Sequence, residues 1–177
     1  MSSQETKVSQ SLSGKAASGF NVFYTGLPPY HPLAIAESWD PALVDSGVRK
    51  DTIELVQAGY NVYVIAAGPE IPREIIAEKM RAKGVEWHIT GIGMGVRASK
   101  NPTVIHYLED LVQFFRHETP GAQQVFNSGP GSCLESVEYR LGKNNNSNNQ
   151  PGQLLGYEEL FDGQRGEPLE FIPPKDI

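Results

Sequence analysis

Six residues that suit anion binding lie together in the segment 91–100. They are Gly91, Gly93, Gly95, Arg97, Ser99 and Lys100. The glycines leave room for a bound group to approach the backbone, and the three side chains after them are hydrogen-bond donors. Asn101 and Pro102 then predict a helix start, whose free N–H groups and partial positive charge attract anions. The segment is therefore predicted to hold a phosphate or carboxylate; the alternative is a glycine-rich crossover with two solvated basic residues.

A second group of candidate residues lies in the proline-rich segment that follows Gly26. His31 could act as a general base or donate a hydrogen bond to an anion. Tyr30 could stack on a ring of the same ligand. The alternative is that both are ordinary polar members of an exposed loop.

Cys133, the single cysteine, directly follows Ser132, which is the predicted N-cap of a helix in a capping box. Free N–H groups there would lower the pKa of the thiol, so Cys133 is a candidate nucleophile with His31 as its base. Asn127 and Ser128 would add donors at the same rim. The alternative, which we favour, is a small structural residue packed in the first helical turn.

These candidates must be positioned by strands and helices, and the sequence alternates regularly between the two. Apolar runs predict strands at 20–25, 60–66, 85–92 and 123–127. Helices are predicted to begin at Pro41, Pro72, Pro102 and Cys133. The prolines at 28, 29 and 32 are expected to oppose a helix in the long connection after the first strand.

Four such strand–helix units predict a three-layer, Rossmann-like α/β domain. Its parallel sheet would have the order 2-1-3-4 with helices on both faces. In this order the loops after strands 1 and 3 part at a crevice, where open α/β sheets bind ligands. Gly26, Tyr30 and His31 follow strand 1, and the glycine-rich basic segment follows strand 3. Two independent arguments therefore place a ligand site at the same crevice.

The order of elements resembles flavodoxin-like and response-regulator domains, but the resemblance is confined to the fold. A flavodoxin is expected to have a Ser/Thr-rich phosphate loop after strand 1, where this chain has proline and leucine. A response regulator is expected to have acidic residues there and an aspartate ending strand 3, where Thr90 and Gly91 stand. GIGMGVRASK matches neither the dinucleotide fingerprint nor the P-loop, so no cofactor is assigned.

Composition limits the partners and the location of the protein. With 177 residues, a net charge of −6 and a pI near 5.2, the chain has no basic footprint for nucleic acid. A single cysteine permits no intrachain disulfide, which favours a reducing compartment, and we expect the cytoplasm. No apolar run approaches the roughly 20 residues of a membrane span, and residues 1–19 lack the apolar region of a secretory signal.

The sequence divides the chain into four parts. Residues 1–19 are expected to be a disordered lead, and residues 20–142 form the predicted α/β domain. The Asn-rich stretch within 143–152 is a predicted linker. Residues 153–177 are a predicted C-terminal tail in which LLGYEELF would form one or two helical turns.

The leading hypothesis is a small α/β protein that binds an anionic metabolite at the crevice, with no reaction assigned. The first alternative is a cysteine-dependent hydrolase or transferase that uses Cys133 and His31. The second alternative is a non-catalytic module that associates with itself or with a larger protein.

Overall fold

A computed structural model describes residues 19–144 and 149–173 of the chain. Residues 1–18 of the predicted lead and 145–148 of the predicted linker lie outside the described residues. The strands are β1 (Asn21–Gly26), β2 (Asn61–Ala67), β3 (Ile89–Ile92), β4 (Gln123–Phe126) and β5 (Leu154–Leu160). The helices are α1 (Pro32–Ile35), α2 (Pro41–Gln57), α3 (Arg73–Ala82), α4 (Met94–Arg97), α5 (Pro102–Glu118) and α6 (Cys133–Leu141).

All five strands pair in parallel, in the order β4-β3-β1-β2-β5. The predicted α/β class and the order 2-1-3-4 are therefore confirmed, with a fifth strand added beside β2. β1 is the central strand, with Val22 opposite both Val62 of β2 and Ile89 of β3. This arrangement places the reversal of strand order between the ends of β1 and β3, as the sequence predicts.

The sheet separates two apolar cores because side chains alternate between the faces of each strand. On one face, Val22 and Tyr24 pack with Leu55 of α2 and Val137 of α6. On the other, the Phe23 ring meets those of Tyr63, Trp87 and Phe115 edge-on, with centroids 5.7–5.8 Å apart. The second core also takes in the buried faces of α3 and α5. Burial on both faces explains why the central strands are almost wholly apolar.

The two short helices, α1 and α4, occupy segments for which the sequence predicts loops. The expectation that prolines oppose a helix after β1 is wrong, because Pro32 takes the first helical position, where its missing N–H costs nothing. α4 similarly replaces the expected glycine-rich loop with one helical turn that follows Gly93. Both helices lie at the carboxyl ends of β1 and β3, so they shape the crevice.

Predicted helix starts are confirmed at α2, α5 and α6, whereas the side-chain caps are confirmed only at α2 and α5. Asp40 accepts a hydrogen bond from the Ala42 N–H at 2.9 Å, and Asn101 accepts one from the Thr103 N–H at 3.0 Å. The capping box predicted at Ser132 is wrong, since Ser132 makes no side-chain bond to the amides of its own helix. Its hydroxyl instead accepts from the N–H groups of Ser128 and Gly129, and so closes the loop before α6.

The segment Leu154–Leu160 is a strand, so the helical turns predicted there are wrong. It extends the sheet along β2, with an irregularity in register between Val62 and Tyr63. Glu158 accepts hydrogen bonds from the Tyr63 hydroxyl and from Lys79 Nζ, the latter at 2.7 Å. These contacts fix β5 to β2 and α3.

Among residues 19–144 and 149–173, no helix combines the length and the apolar character that crossing a bilayer requires.

Candidate functional site

A cavity of about 430 Å³ lies at the carboxyl end of the sheet, on the face covered by α2 and α6. We call it the switch-point cavity. The loop after β1 contributes Gly26, Leu27, Pro29, Ala34, Ser38, Trp39 and Asp40 to its lining, and the turn after β3 contributes Gly93, Met94 and Gly95. The cavity therefore lies where the loops after β1 and β3 part.

One face of α2 forms the longest wall of the switch-point cavity. Val44, Val48, Asp51 and Leu55 recur at intervals of four, three and four residues, which places them along one side of a helix. Three of the four are aliphatic, and the fourth is an acid. Gly47 lies on the same wall, and a Cβ added there would meet only Pro130, at 3.8 Å.

Three of the predicted glycines, Gly26, Gly93 and Gly95, line the cavity. A Cβ at Gly95 would come within 3.0 Å of the Trp39 ring, so the missing side chain lets Trp39 cover α4. Gly93 caps α4, and a Cβ there would lie 3.6 Å from the Thr25 carbonyl oxygen. Gly26, at the end of β1, lines the cavity beside Gly93.

Gly91 is part of β3 and does not line the cavity. A Cβ there would overlap the ring of Tyr24 from the neighbouring strand. The space that the sequence suggests for a ligand is therefore filled by a side chain of the protein. Gly91, Gly93 and Gly95 all lie outside the positive-φ region, so backbone freedom does not explain them. Close approach of a neighbouring ring explains Gly91 and Gly95, whereas a Cβ at Gly93 would make only ordinary contacts.

Three ionisable side chains meet at the wall formed by β1, α2 and α6; they are those of Tyr24, Asp51 and Cys133. Burial, followed by the charge of Asp51, raises the pKa of the Cys133 thiol well above its usual range. Burial also raises the pKa of the Tyr24 hydroxyl, with further contributions from Cys133 and Asp51. Both groups are consequently neutral near pH 7, which leaves Asp51 as the group that can carry charge there.

Asp51 is 5% exposed, and its carboxylate accepts a hydrogen bond from the Gly131 N–H at 3.2 Å. Burial raises the pKa of Asp51, although Cys133 and the Gly131 N–H oppose that rise. Among the described residues, no lysine, arginine or histidine forms an ion pair with it. A buried carboxylate without a cationic partner is costly, which makes Asp51 unusual for a core position.

Asn127 also lines the cavity and is 7% exposed. Its amide nitrogen donates to the Gly129 carbonyl at 3.2 Å, while its buried side-chain oxygen has no hydrogen-bond partner. Buried polar atoms are normally paired, so the side chain of this cavity-lining residue keeps an unpartnered acceptor. Ser128, predicted with it, is exposed and lies outside the lining.

The basic residues of the predicted anion-binding segment are turned away from the cavity. Arg97 is the last residue of α4, and its Nε donates to the Asn127 carbonyl at 3.1 Å, in the loop after β4. Lys100 is exposed, and neither residue lines the cavity. Ser99 is buried. Its hydroxyl donates a hydrogen bond to Glu37 and accepts one from the Asn101 N–H at 3.0 Å.

His31 is a structural residue of the loop after β1. Its Nδ1 accepts the Leu33 N–H at 3.1 Å, so Nε2 is the donor to Glu70, also at 3.1 Å. The ring is 7% exposed and lies against that of Phe161, with centroids 5.1 Å apart. Neither His31 nor Tyr30 lines the cavity, whereas Cys133 does. The structure therefore does not bring His31 and Cys133 together as a base and nucleophile.

Within the described part of the chain, no group of three or more His, Cys, Asp or Glu residues is placed to hold a metal ion.

Sequence reasoning missed the α2 wall, Trp39 and Tyr157 of β5, all of which line the cavity. A signal for Asp51 was present, since an acid on an otherwise apolar helical stripe is unexpected in a purely structural helix. Tyr157 could not be placed without knowing that Leu154–Leu160 is a strand.

Comparisons of the chain with protein-family models, with curated proteins and with solved structures found no match.

Proposed function

We propose that the protein binds a small, predominantly apolar molecule in the switch-point cavity. The observation that carries this proposal is the cavity itself, whose volume of about 430 Å³ is formed by both loops at the reversal of strand order. Ligand cavities of roughly 300–1,000 Å³ with mostly apolar walls and a few polar groups are typical of small-molecule sites. Open α/β sheets bind their ligands at this location.

The side chains that line the cavity are those expected of a mostly apolar site with a few polar groups. Trp39, Leu43 and Met94 provide large apolar surfaces, and Asp51 and Asn127 provide polar groups. Leu43 is 72% exposed at the start of α2, a placement that suits a residue at an entrance. Burial of apolar ligand surface against such walls supplies most of the binding free energy, and the polar groups select and orient the ligand.

Filling the cavity tests the proposal. Gly47→Leu places an isobutyl group against the α2 wall, where only Pro130 is near. Ser46→Leu is the matched control, because it adds the same side chain at the exposed neighbouring position of the same helix. We expect 2-phenylethanol and indole, measured by calorimetry, to bind the parent and Ser46→Leu proteins but not Gly47→Leu. Equal binding to both variants would place the site elsewhere.

The anionic ligand predicted from the sequence stays a prediction. Neither Arg97 nor Lys100 lines the switch-point cavity, so an anion would bind at the exposed rim near α4. Titration with inorganic phosphate separates the two sites. An anion at the rim should bind Gly47→Leu as well as the parent and should bind Arg97→Ala more weakly.

Cysteine-dependent chemistry has less support than ligand binding. The Cys133 thiol is 8% exposed, lies beside the Asp51 carboxylate and has a raised pKa, so little thiolate forms near pH 7. A nucleophilic cysteine needs the opposite environment, with nearby positive charge or a paired base.

A further inference from the structure

The charged side chains that line the switch-point cavity, among the described residues, have one sign. Asp40 and Asp51 are the carboxylates of its lining, and no lysine or arginine of the segments 19–144 and 149–173 contributes to it. Arg49, adjacent to this wall in sequence, does not line the cavity and already has partners within the protein. Its Nε donates to Asp45 at 3.0 Å, and its guanidinium lies over the Tyr157 ring, 5.1 Å from the centroid.

Asp51 is a buried residue of this lining, and no cationic side chain among the described residues pairs with its carboxylate. Its carboxylate receives one backbone hydrogen bond, from Gly131. The neighbouring Tyr24 and Cys133 side chains are neutral near pH 7 and bring no positive charge. Lys50 is the cation that acts on it, and only weakly, because that side chain is 75% exposed and lies 3.9 Å from Glu54. A cation stabilises a buried carboxylate more than it stabilises one in water, because solvent screens the attraction between the two charges less.

We propose that the ligand of the switch-point cavity is a hydrophobic amine, whose ammonium group pairs with Asp51 while its apolar part packs against Trp39, Leu43 and Met94. This inference rests on the proposed function and narrows its ligand class. A protonated amine supplies the missing positive charge, and its N–H groups are donors for the carboxylate and for the unpaired Asn127 oxygen. A carboxylate or phosphate ligand would instead meet two like charges.

Three probes that share one phenyl ring and a short chain test the charge preference. They are 2-phenylethylamine, 2-phenylethanol and 3-phenylpropionate, which are cationic, neutral and anionic at pH 7. Calorimetry on the parent protein is expected to rank the amine first, the alcohol second and the acid last. Asp51→Asn should weaken amine binding roughly tenfold or more, as expected for loss of a charged hydrogen-bond partner. It should change alcohol binding much less, because the amide can still form a hydrogen bond with a hydroxyl group.

The outcomes distinguish the inference of an amine ligand from the proposed function, which is ligand binding in the switch-point cavity. Alcohol binding to Asp51→Asn shows that the variant is folded with its cavity intact. Equal binding of amine and alcohol to the parent, or stronger binding of the acid, overturns the amine inference and leaves the cavity function standing. Amine binding that survives Gly47→Leu also overturns the inference, because the amine would then bind outside the cavity. Failure of all three probes to bind the parent contradicts both.

Discussion

The Nε2 atom of His31 lies 3.1 Å from the Glu70 carboxylate, so a histidine of the first long loop ties that loop to the segment after β2. The same ring accepts the Leu33 N–H and caps α1. Both ring nitrogens are therefore used within the protein, and the residue that most resembles a catalytic base from sequence holds two loops in place.

His31→Ala should therefore lower stability without changing affinity in the switch-point cavity. Loss of a cap costs about 0.5–2 kcal/mol, and loss of a hydrogen bond to a partly exposed partner costs about 1 kcal/mol more. Urea unfolding measures the loss, and Glu70→Gln, which keeps an acceptor, should cost less. A stable His31→Ala protein that no longer binds 2-phenylethanol would show that His31 contacts the ligand.

Asp51→Asn should stabilise the ligand-free protein at pH 7. Burial raises the pKa of Asp51, so the stability this residue contributes is present below its unfolded pKa of about 3.9 and is lost as pH rises through the folded value. The gain from the amide should be about 1.4 kcal/mol for each unit of that rise and should vanish near pH 3. Urea unfolding across this range checks it, with Glu54→Gln as a control on the same helix. A variant less stable than the parent at pH 7 would show that the charge is compensated.

Cys133 should react slowly with iodoacetamide in the folded protein. Burial raises the pKa of its thiol, and the thiolate is the reactive form. We expect the alkylation rate to keep rising with pH beyond about 8.5, the usual value for a free thiol, and to increase when urea unfolds the chain. A rate that levels off near pH 7 would restore Cys133 as a candidate nucleophile.

Glu158→Gln should weaken the attachment of β5, and more so at neutral than at acidic pH. Burial raises the pKa of Glu158, but its bonds with Lys79 and the Tyr63 hydroxyl outweigh burial, so the net shift is downward. The stability it contributes is therefore present above the unfolded pKa of about 4.3 and is lost as pH falls through the folded value. Because the carboxylate is 35% exposed, the loss should be roughly 1 kcal/mol. Hydrogen exchange of the β5 amides provides the measurement, and unchanged protection at pH 7 would contradict it.

The strands β1 to β4 and their order were predictable because each is followed by a helical pattern, and because β1, β2 and β3 lie in short apolar runs. β5 was not, because it is an edge strand whose seven positions are all partly exposed, so neither an apolar run nor a clear alternation marks it. Gly156 and the two glutamates at 158 and 159 weaken the signal further. Its partners Tyr63 and Lys79 are distant in sequence, and only the folded chain reveals them.

The position of the cavity was also predictable, because strand order alone locates the crevice. Its chemical character was not, because that depends on which way side chains turn. α4 directs Arg97 toward Asn127, whereas the α2 helix brings Asp51 to the wall. Glycine spacing suggested an anion site, but the space beside Gly91 and Gly95 is filled by the rings of Tyr24 and Trp39.

The late position of β5 in the chain has a consequence for synthesis and storage of the protein. β2 is buried at all seven of its positions, and β5 covers the side of it that β1 does not. Until the ribosome releases β5, or whenever that strand detaches, an apolar strand presents an unpaired edge that a second copy can occupy. Chains truncated before Leu154 should therefore precipitate or exchange strands.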